Sequence, residues 1–222
     1  MTRSEQSLQS PVDVVFKTRW SFWCAASPGR NSTTSWEMKK LFSFSNLAEF
    51  WSHFNAMKMP SEFGHATVEV SIFREGVEPE WDHEPCSNGG RWGARMERVS
   101  SPDSLDQAWM NLVLGALGES IMGEASSDLG DHILGVAFSS KGTNTRRIAM
   151  WIDVREKETV LAIGNAFKNN LRMELSDKDI GEMLFHDFES GNKSFAVIAN
   201  TGKKERKVKA SKSSGGTVTN DD

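Results

Sequence analysis

Between Ala66 and Arg74 the chain reads ATVEVSIFR, with Val68, Val70 and Ile72 set against Thr67, Glu69 and Ser71. Strict alternation of this kind gives a strand one apolar face and one wet face, the pattern of an antiparallel sheet covered on one side only. About eight strand-like runs and three helical runs follow one another without the alternation of a parallel βαβ fold, which implies an α+β architecture. The expected arrangement is a curved, mostly antiparallel sheet of about eight strands with three helices on its convex face. No internal repeat is visible.

Strands are read at FKTRWSFWCAA, where Phe16, Trp20 and Phe22 share one parity, and from Glu37 to Phe44. Others follow at Ala66–Arg74, Arg91–Val99, Gly135–Ser140 and Arg146–Val154, then at MLFHDF and KSFAVIAN. The first helix has Asn46 as its cap, with Glu49 three residues on and Leu47, Phe50, Trp51 and Phe54 at helical spacing. A second is read from Ser104, with Gln107 placed for a capping box. It is apolar almost all round: Leu105, Ala108, Trp109, Leu112 and Ala116 form one stripe and Met110, Val113, Leu114 and Leu117 another. Such a helix is either fully buried or offers a face to a partner. The third helix, about Lys157 to Arg172, is read as packing only.

At 222 residues the chain suits one domain able to bury its own core. Residues 1–11 are polar and read as a mobile end, 12–200 as the domain, and 201–222 as a mobile basic tail. Cys24 and Cys86 make no disulfide framework and no apolar run approaches twenty residues, so a monomer in the cytoplasm or nucleus is expected. A formal net charge of −4 argues against broad non-specific nucleic-acid binding, so any phosphate contact must come from a local cluster.

Eight Trp and thirteen Phe with no Tyr are more indoles than a core of this size needs, which directs attention to tryptophans in loops. The stretch Glu75–Trp92, EGVEPEWDHEPCSNGGRW, places Trp81 beside Asp82 and carries Arg91 on a double glycine. An indole offers a flat face to a base or cation and the adjacent carboxylate only accepts hydrogen bonds. The pair suits a planar, electron-poor ligand rich in N–H donors, such as an alkylated guanine. Trp36, at the exit of the loop SPGRNSTTS, reads equally as a ligand contact or as the buried start of a strand. Lys141, Arg146 and Arg147 flank the loop KGTNT and read as a solvated turn or as a phosphate clamp.

No GxSxG, P-loop, HExxH or paired CxxC motif is present, and no enzyme or cofactor is expected. His83 and Cys86 are two ligands at most, which is too few for a zinc site. His186 and Asp187 read as a turn.

The Trp81–Asp82 pair, the GGRW that follows and the tryptophans at positions 20, 23, 36, 51, 109 and 151 resemble the eukaryotic translation initiation factor 4E family, from about Phe16 to about Phe195. The resemblance implies a cupped sheet that binds the 7-methylguanosine cap of messenger RNA in its hollow. It assigns Trp36 and Trp81 to a sandwich around the base, Asp82 to its N–H edge, Trp151 to the N7 methyl, and Lys141 and Arg147, with Arg146 in compensation, to the phosphates, and it counts Arg91 among the cap-binding residues. On the helical side it assigns Leu47, Trp51, Met110, Asn111, Leu114 and Gly118 to the helical motif of an initiation-factor-4G-like scaffold or of a 4E-binding protein.

The chain departs from the family at four places. Asp82 and Asn111 stand where glutamate is usual, Ser139 where an arginine of the phosphate clamp is usual, and Pro85 where a lysine is usual. The loop before Arg146 is also longer. A translational repressor or specialised paralogue, or an interaction module with a weakened pocket, therefore stands beside the initiation factor as an alternative. A cap hydrolase would need a carboxylate cluster that the sequence does not offer.

Overall fold

The computed structural model of the chain describes residues 14–26, 37–64, 66–96, 99–141, 145–190 and 193–196. Trp36, the tip of the KGTNT loop and both chain ends lie outside the described residues, so the expectations for them carry no structural description.

Eight strands form one sheet: β1 Val15–Ala26, β2 Lys39–Asn46, β3 Val68–Arg74, β4 Gly90–Met96, β5 Ile133–Lys141, β6 Thr145–Ile152, β7 Ile180–Asp187 and β8 Lys193–Ala196. Their order across the sheet is β2-β1-β3-β5-β6-β4-β7-β8, and every neighbouring pair is antiparallel. The helices are α1 Leu47–Phe54, α2 Pro102–Leu117, a four-residue α3 Ser127–Gly130 and α4 Lys157–Leu171.

Strand alternation assigns the faces. Trp20, Val70, Ile72, Trp92, Phe138 and Met150 point to the helical side, where Leu105, Trp109, Leu112, Ile163 and Phe167 close the main core over them. Fully burying a large apolar side chain stabilises by about 1.5–3 kcal/mol, so this layer holds the fold. The opposite face is less wet than the sequence pattern implied. Ser71 and Phe73 of β3 are fully buried and Glu69 is half-buried, because Phe73, Trp151, Phe188 and Trp23 build a second apolar cluster in the hollow of the curved sheet.

The caps show why the helices start where they do. Asn46 Oδ1 accepts from the Glu49 amide at 2.8 Å while the Glu49 carboxylate reaches back to the Ser45 amide at 2.7 Å, fixing the β2–α1 corner. Helix α2 begins at Pro102, with Ser101 as its cap, rather than at Ser104. A proline in the first helical turn lacks only an N–H that would have no helical partner anyway, and its φ is already helical. Helix α4 lies close on the sheet: Trp92 Nε1 donates to the Val160 carbonyl at 2.9 Å, and a Cβ on Gly164 would sit 2.4 Å from the Trp92 ring.

Candidate functional site: an aromatic and basic hollow

Three strands place the centre of the site in one row. Arg91 of β4 pairs with Trp151 of β6 on one side and with His186 of β7 on the other. With Trp81 and Phe188 they line a cavity of about 280 Å³. The Arg91 guanidinium stands 5.7 Å from the centre of the Trp151 ring, which Phe73 meets edge-on at 5.4 Å and Phe188 tilts against at 4.8 Å. Trp151 is thus only 4 % exposed and yet lines the cavity.

Trp81 rises from the loop between β3 and β4 and is 60 % exposed, unusual for an indole and consistent with a face kept free for a ring. Asp82 beside it is exposed and makes no hydrogen bond or ion pair among the described residues. The double glycine that returns this loop to β4 makes room: a Cβ on Gly89 would lie 1.9 Å from the Ile152 carbonyl, and one on Gly90 2.3 Å from the His186 carbonyl. No other residue lets the loop close on β6 and β7 at this distance.

A basic patch adjoins the cavity on the same face. Arg147 pairs with Ser139 and with Arg95, and its side chain lies over Gly93, where a Cβ would meet Arg147 Cδ at 3.3 Å. Lys141 shares the parity of Ser139 at the exposed end of β5. Arg146 does not join them: strand alternation sends it to the other face, alongside Ile148 and Met150, opposite Met96 and Ser140. Sequence adjacency had grouped two arginines that the pleat separates.

The patch also contains a carboxylate. Glu69 pairs with Ser139, and burial pushes its carboxyl above the ordinary value while Arg91, Lys141 and Arg147 pull it back down. Burial, and then repulsion from Arg147, lowers the Arg91 guanidinium below its ordinary value, against the attraction of Glu69.

Two further residues escaped the sequence reading. His186 lies on β7 in the cavity wall and not in a turn; the register with Arg91 decides this, and no local motif signals it. Phe188 follows it in the turn. Elsewhere in the loop, Glu78, Glu80 and His83 converge within 4.8 Å, all exposed, with His83 Nδ1 3.1 Å from the Glu80 carboxylate. Cys86 stays apart from them: it is buried, its thiol is pushed up to about 12 by burial, and it donates to the Glu78 carbonyl at 3.4 Å.

On the helical side, Leu47, Trp51, Met110 and Leu114 are half-exposed, whereas Phe50, Phe54, Val113 and Leu117 of the same helices are buried. The second stripe of α2 therefore divides, leaving Met110 and Leu114 accessible. Gly118 caps the helix in solvent. Asn111 Nδ2 donates to the Glu174 carboxylate at 3.1 Å, and Asn111 Oδ1 accepts from Gln107 at 2.9 Å.

A cupped antiparallel sheet with indoles and cations in its hollow and helices confined to its back defines a two-faced binding module. Residues 15–206 match the family described as Eukaryotic initiation factor 4E, and the chain belongs to that family. It is 28 % identical over 186 residues to the Caenorhabditis elegans eukaryotic translation initiation factor 4E-1, covering 83 % of this chain and 82 % of that protein. It is 31 % identical over 155 residues to the Arabidopsis thaliana eukaryotic translation initiation factor 4E-1, covering 68 % of this chain and 61 % of that protein. Among solved structures, Ascaris suum eIF4E-3 in complex with the m2,2,7G cap superimposes with a TM-score of 0.69 at 22 % identity, over 83 % of this chain and 97 % of that one. The C. elegans eIF4E-3 bound to the 4E-binding protein Mextli gives a TM-score of 0.69 at 20 % identity, over 83 % and 99 %.

Proposed function

We propose that the protein is a non-enzymatic cytoplasmic factor that binds the 7-methylguanosine cap of messenger RNA in the hollow. Its helical face holds the motif of a 4G-like scaffold or of a 4E-binding protein, and so serves translation initiation. The observation that carries this reading is the cavity walled by Trp81, Arg91 and Trp151, on the fold of a family whose solved members hold caps and a 4E-binding protein.

The chemistry follows from the side chains. Methylation at N7 gives guanine a delocalised positive charge, so stacking on the exposed face of Trp81, with Trp36 as the second wall, gains about 0.5–2 kcal/mol of cation–π attraction per face. Unmethylated guanine keeps only ordinary stacking. Asp82, whose carboxylate is free among the described residues, accepts from N1–H and the exocyclic amine, a pairing that adenine does not offer. Trp151 receives the methyl group at the cavity floor. Arg91, Arg147 and Lys141 neutralise the phosphates through charge-assisted hydrogen bonds.

One observation favours a specialised member as a second reading. The Asn111 amide is engaged by Glu174 and Gln107, and Ser139 removes a cation from the patch. Both alter a binding surface without dismantling the fold.

Tryptophan fluorescence titration with 7-methyl-GTP and with GTP, on the wild type and on Trp81→Ala, tests the proposal. The expected result is saturable quenching by the methylated nucleotide that Trp81→Ala abolishes. Equal binding of both nucleotides, unaffected by the substitution, would overturn it.

A further inference from the structure

Two walls of the cavity come from segments outside the strands. One is the loop 75–89 that presents Trp81 and Asp82; the other is the turn after β7 that presents Phe188. Neither belongs to the regular ladder, so the width of the cavity depends on what joins them. Part of the join is backbone, the Phe188 amide donating to the Gly89 carbonyl at 3.2 Å. Among the described residues, the side chain that bridges the two is that of Arg155.

Arg155 follows β6 on the way into α4 and spans both walls. Its Nη2 donates to the Ser87 carbonyl, at the foot of the Trp81 loop. Its Nη1 donates to the Glu189 carboxylate at 2.5 Å, and its Nε lies 3.4 Å from Asp187 Oδ1. Asp187 in turn holds the turn itself, accepting the Glu189 amide at 2.9 Å, and Glu189 and Asp187 bracket Phe188. We infer that Arg155 is a positioning residue for the cap cavity: it latches the Trp81 loop to the Phe188 turn and so sets the distance between the walls that meet the ligand.

The contacts do not contribute equally. Glu189 is 74 % exposed, and an ion pair in that setting contributes little in water. The Ser87 carbonyl is a backbone group, and the hydrogen bond to it carries the latch, while Asp187, only 19 % exposed, adds charge attraction without a hydrogen bond from Nε. A guanidinium donates to two acceptors through its planar fork while facing a third group of opposite charge, which a lysine ammonium on a flexible stem does not. The strength of the latch therefore depends on arginine and not on positive charge alone.

The inference rests on the cap-binding reading for its consequence but not for its existence, and two readouts on the full chain separate them. Arg155→Met keeps most of the aliphatic volume and removes every donor. The expected result is faster amide hydrogen exchange confined to residues 78–88 and the turn at 187–190, with the melting temperature and exchange in the other strands held. Affinity for 7-methyl-GTP is expected to fall about tenfold, the scale of one charged hydrogen bond. Arg155→Lys restores less than half of this on a logarithmic scale. Asp187→Asn, which weakens the latch from the other wall, reproduces the local exchange and gives a smaller affinity loss, and it decides the matter should Arg155→Met fail to fold.

Unchanged exchange in 78–88 for both variants would overturn the latch, as would destabilisation spread evenly over the sheet. If the wild-type chain binds no 7-methyl-GTP while Arg155→Met still loosens 78–88, the cap reading fails and the latch stands.

Discussion

Ser139 and Glu69 bear on how strongly the proposed phosphate clamp would hold its ligand. They face each other across the β3–β5 ladder, with Arg147 next in the row, so an arginine at position 139 would stand between the carboxylate and the clamp. Ser139→Arg is expected to tighten 7-methyl-GTP about three- to tenfold while leaving 7-methylguanosine almost unchanged, with a steeper salt dependence of the nucleotide affinity. Glu69 acts in the opposite sense. Its folded carboxyl is raised above 4.5, so its contribution to stability is present below that value and is lost as pH rises through the folded one. Glu69→Gln should therefore raise the melting temperature near neutral pH and leave it unchanged in acid below 4.5, while strengthening triphosphate binding; thermal melts across pH check the sign. At this scale the sequence was informative wherever a side chain had a chemical signature. Trp81 and Arg91, which line the cavity, stood out from their neighbours in the sequence. His186 and Glu69 did not, because their roles come from strands more than fifty residues away in the chain.

Among the elements, α4 and the segment that follows it bear the most specific constraints. Gly164→Ala forces a Cβ to 2.4 Å from the Trp92 ring, in a core with no space to yield. A loss of about 1–3 kcal/mol in urea denaturation is expected, against the small gain an alanine brings to an unconstrained helix. Beyond α4, Asp179 gathers the amides and hydroxyls of Ser100 and Ser176 at 2.9 Å or less, joining the approach to α2 to the approach to β7. Burial alone would raise its carboxyl, but these hydrogen bonds outweigh it and hold it at about 2, against an ordinary 3.8. A depressed carboxyl contributes stability above its ordinary value and loses it as pH falls through the folded one, here between about 4 and 2. Asp179→Asn is expected to cost on the order of 2 kcal/mol at neutral pH and nearly nothing below the window, by denaturation at a series of pH values. The period of the apolar residues made the long helices and most strands readable beforehand. Arg146 was misassigned because adjacency in a loop says nothing about which face the pleat will choose, and the start of α2 moved to Pro102 because packing and a suitable first-turn proline outweighed the capping pattern at Ser104 and Gln107.

For the molecule as a whole, the sheet separates two surfaces. Trp51 and Leu114 lie on the helical side, Trp81 and Arg91 in the hollow, with the main core between them. Substitutions on opposite sides of such a layer act independently to within a few tenths of a kcal/mol. Trp51→Ala is expected to abolish capture of a 4E-binding helical peptide while leaving 7-methyl-GTP affinity unchanged, and Trp81→Ala to do the reverse; peptide pull-down and fluorescence titration on the same preparations check both. The two-layer architecture was legible because one-sided strands and amphipathic helices admit few other arrangements. The closeness of the hollow was not, since it comes from curvature and from aromatic residues distributed over several strands and loops.

The position of β4 has a consequence for how the chain is made. It lies between β6 and β7, both synthesised after it, so during translation its two rows of amides and carbonyls wait for partners. At ~5–20 residues per second that wait is on the order of ten seconds. A naked strand of this kind invites pairing with other nascent chains, and charged residues along it are the usual defence. Arg91 and Arg95 supply that defence in GRWGARM. The arginine that later stacks on Trp151 would first serve as a guard against aggregation, and the hollow becomes complete only when the chain beyond α4 has left the ribosome.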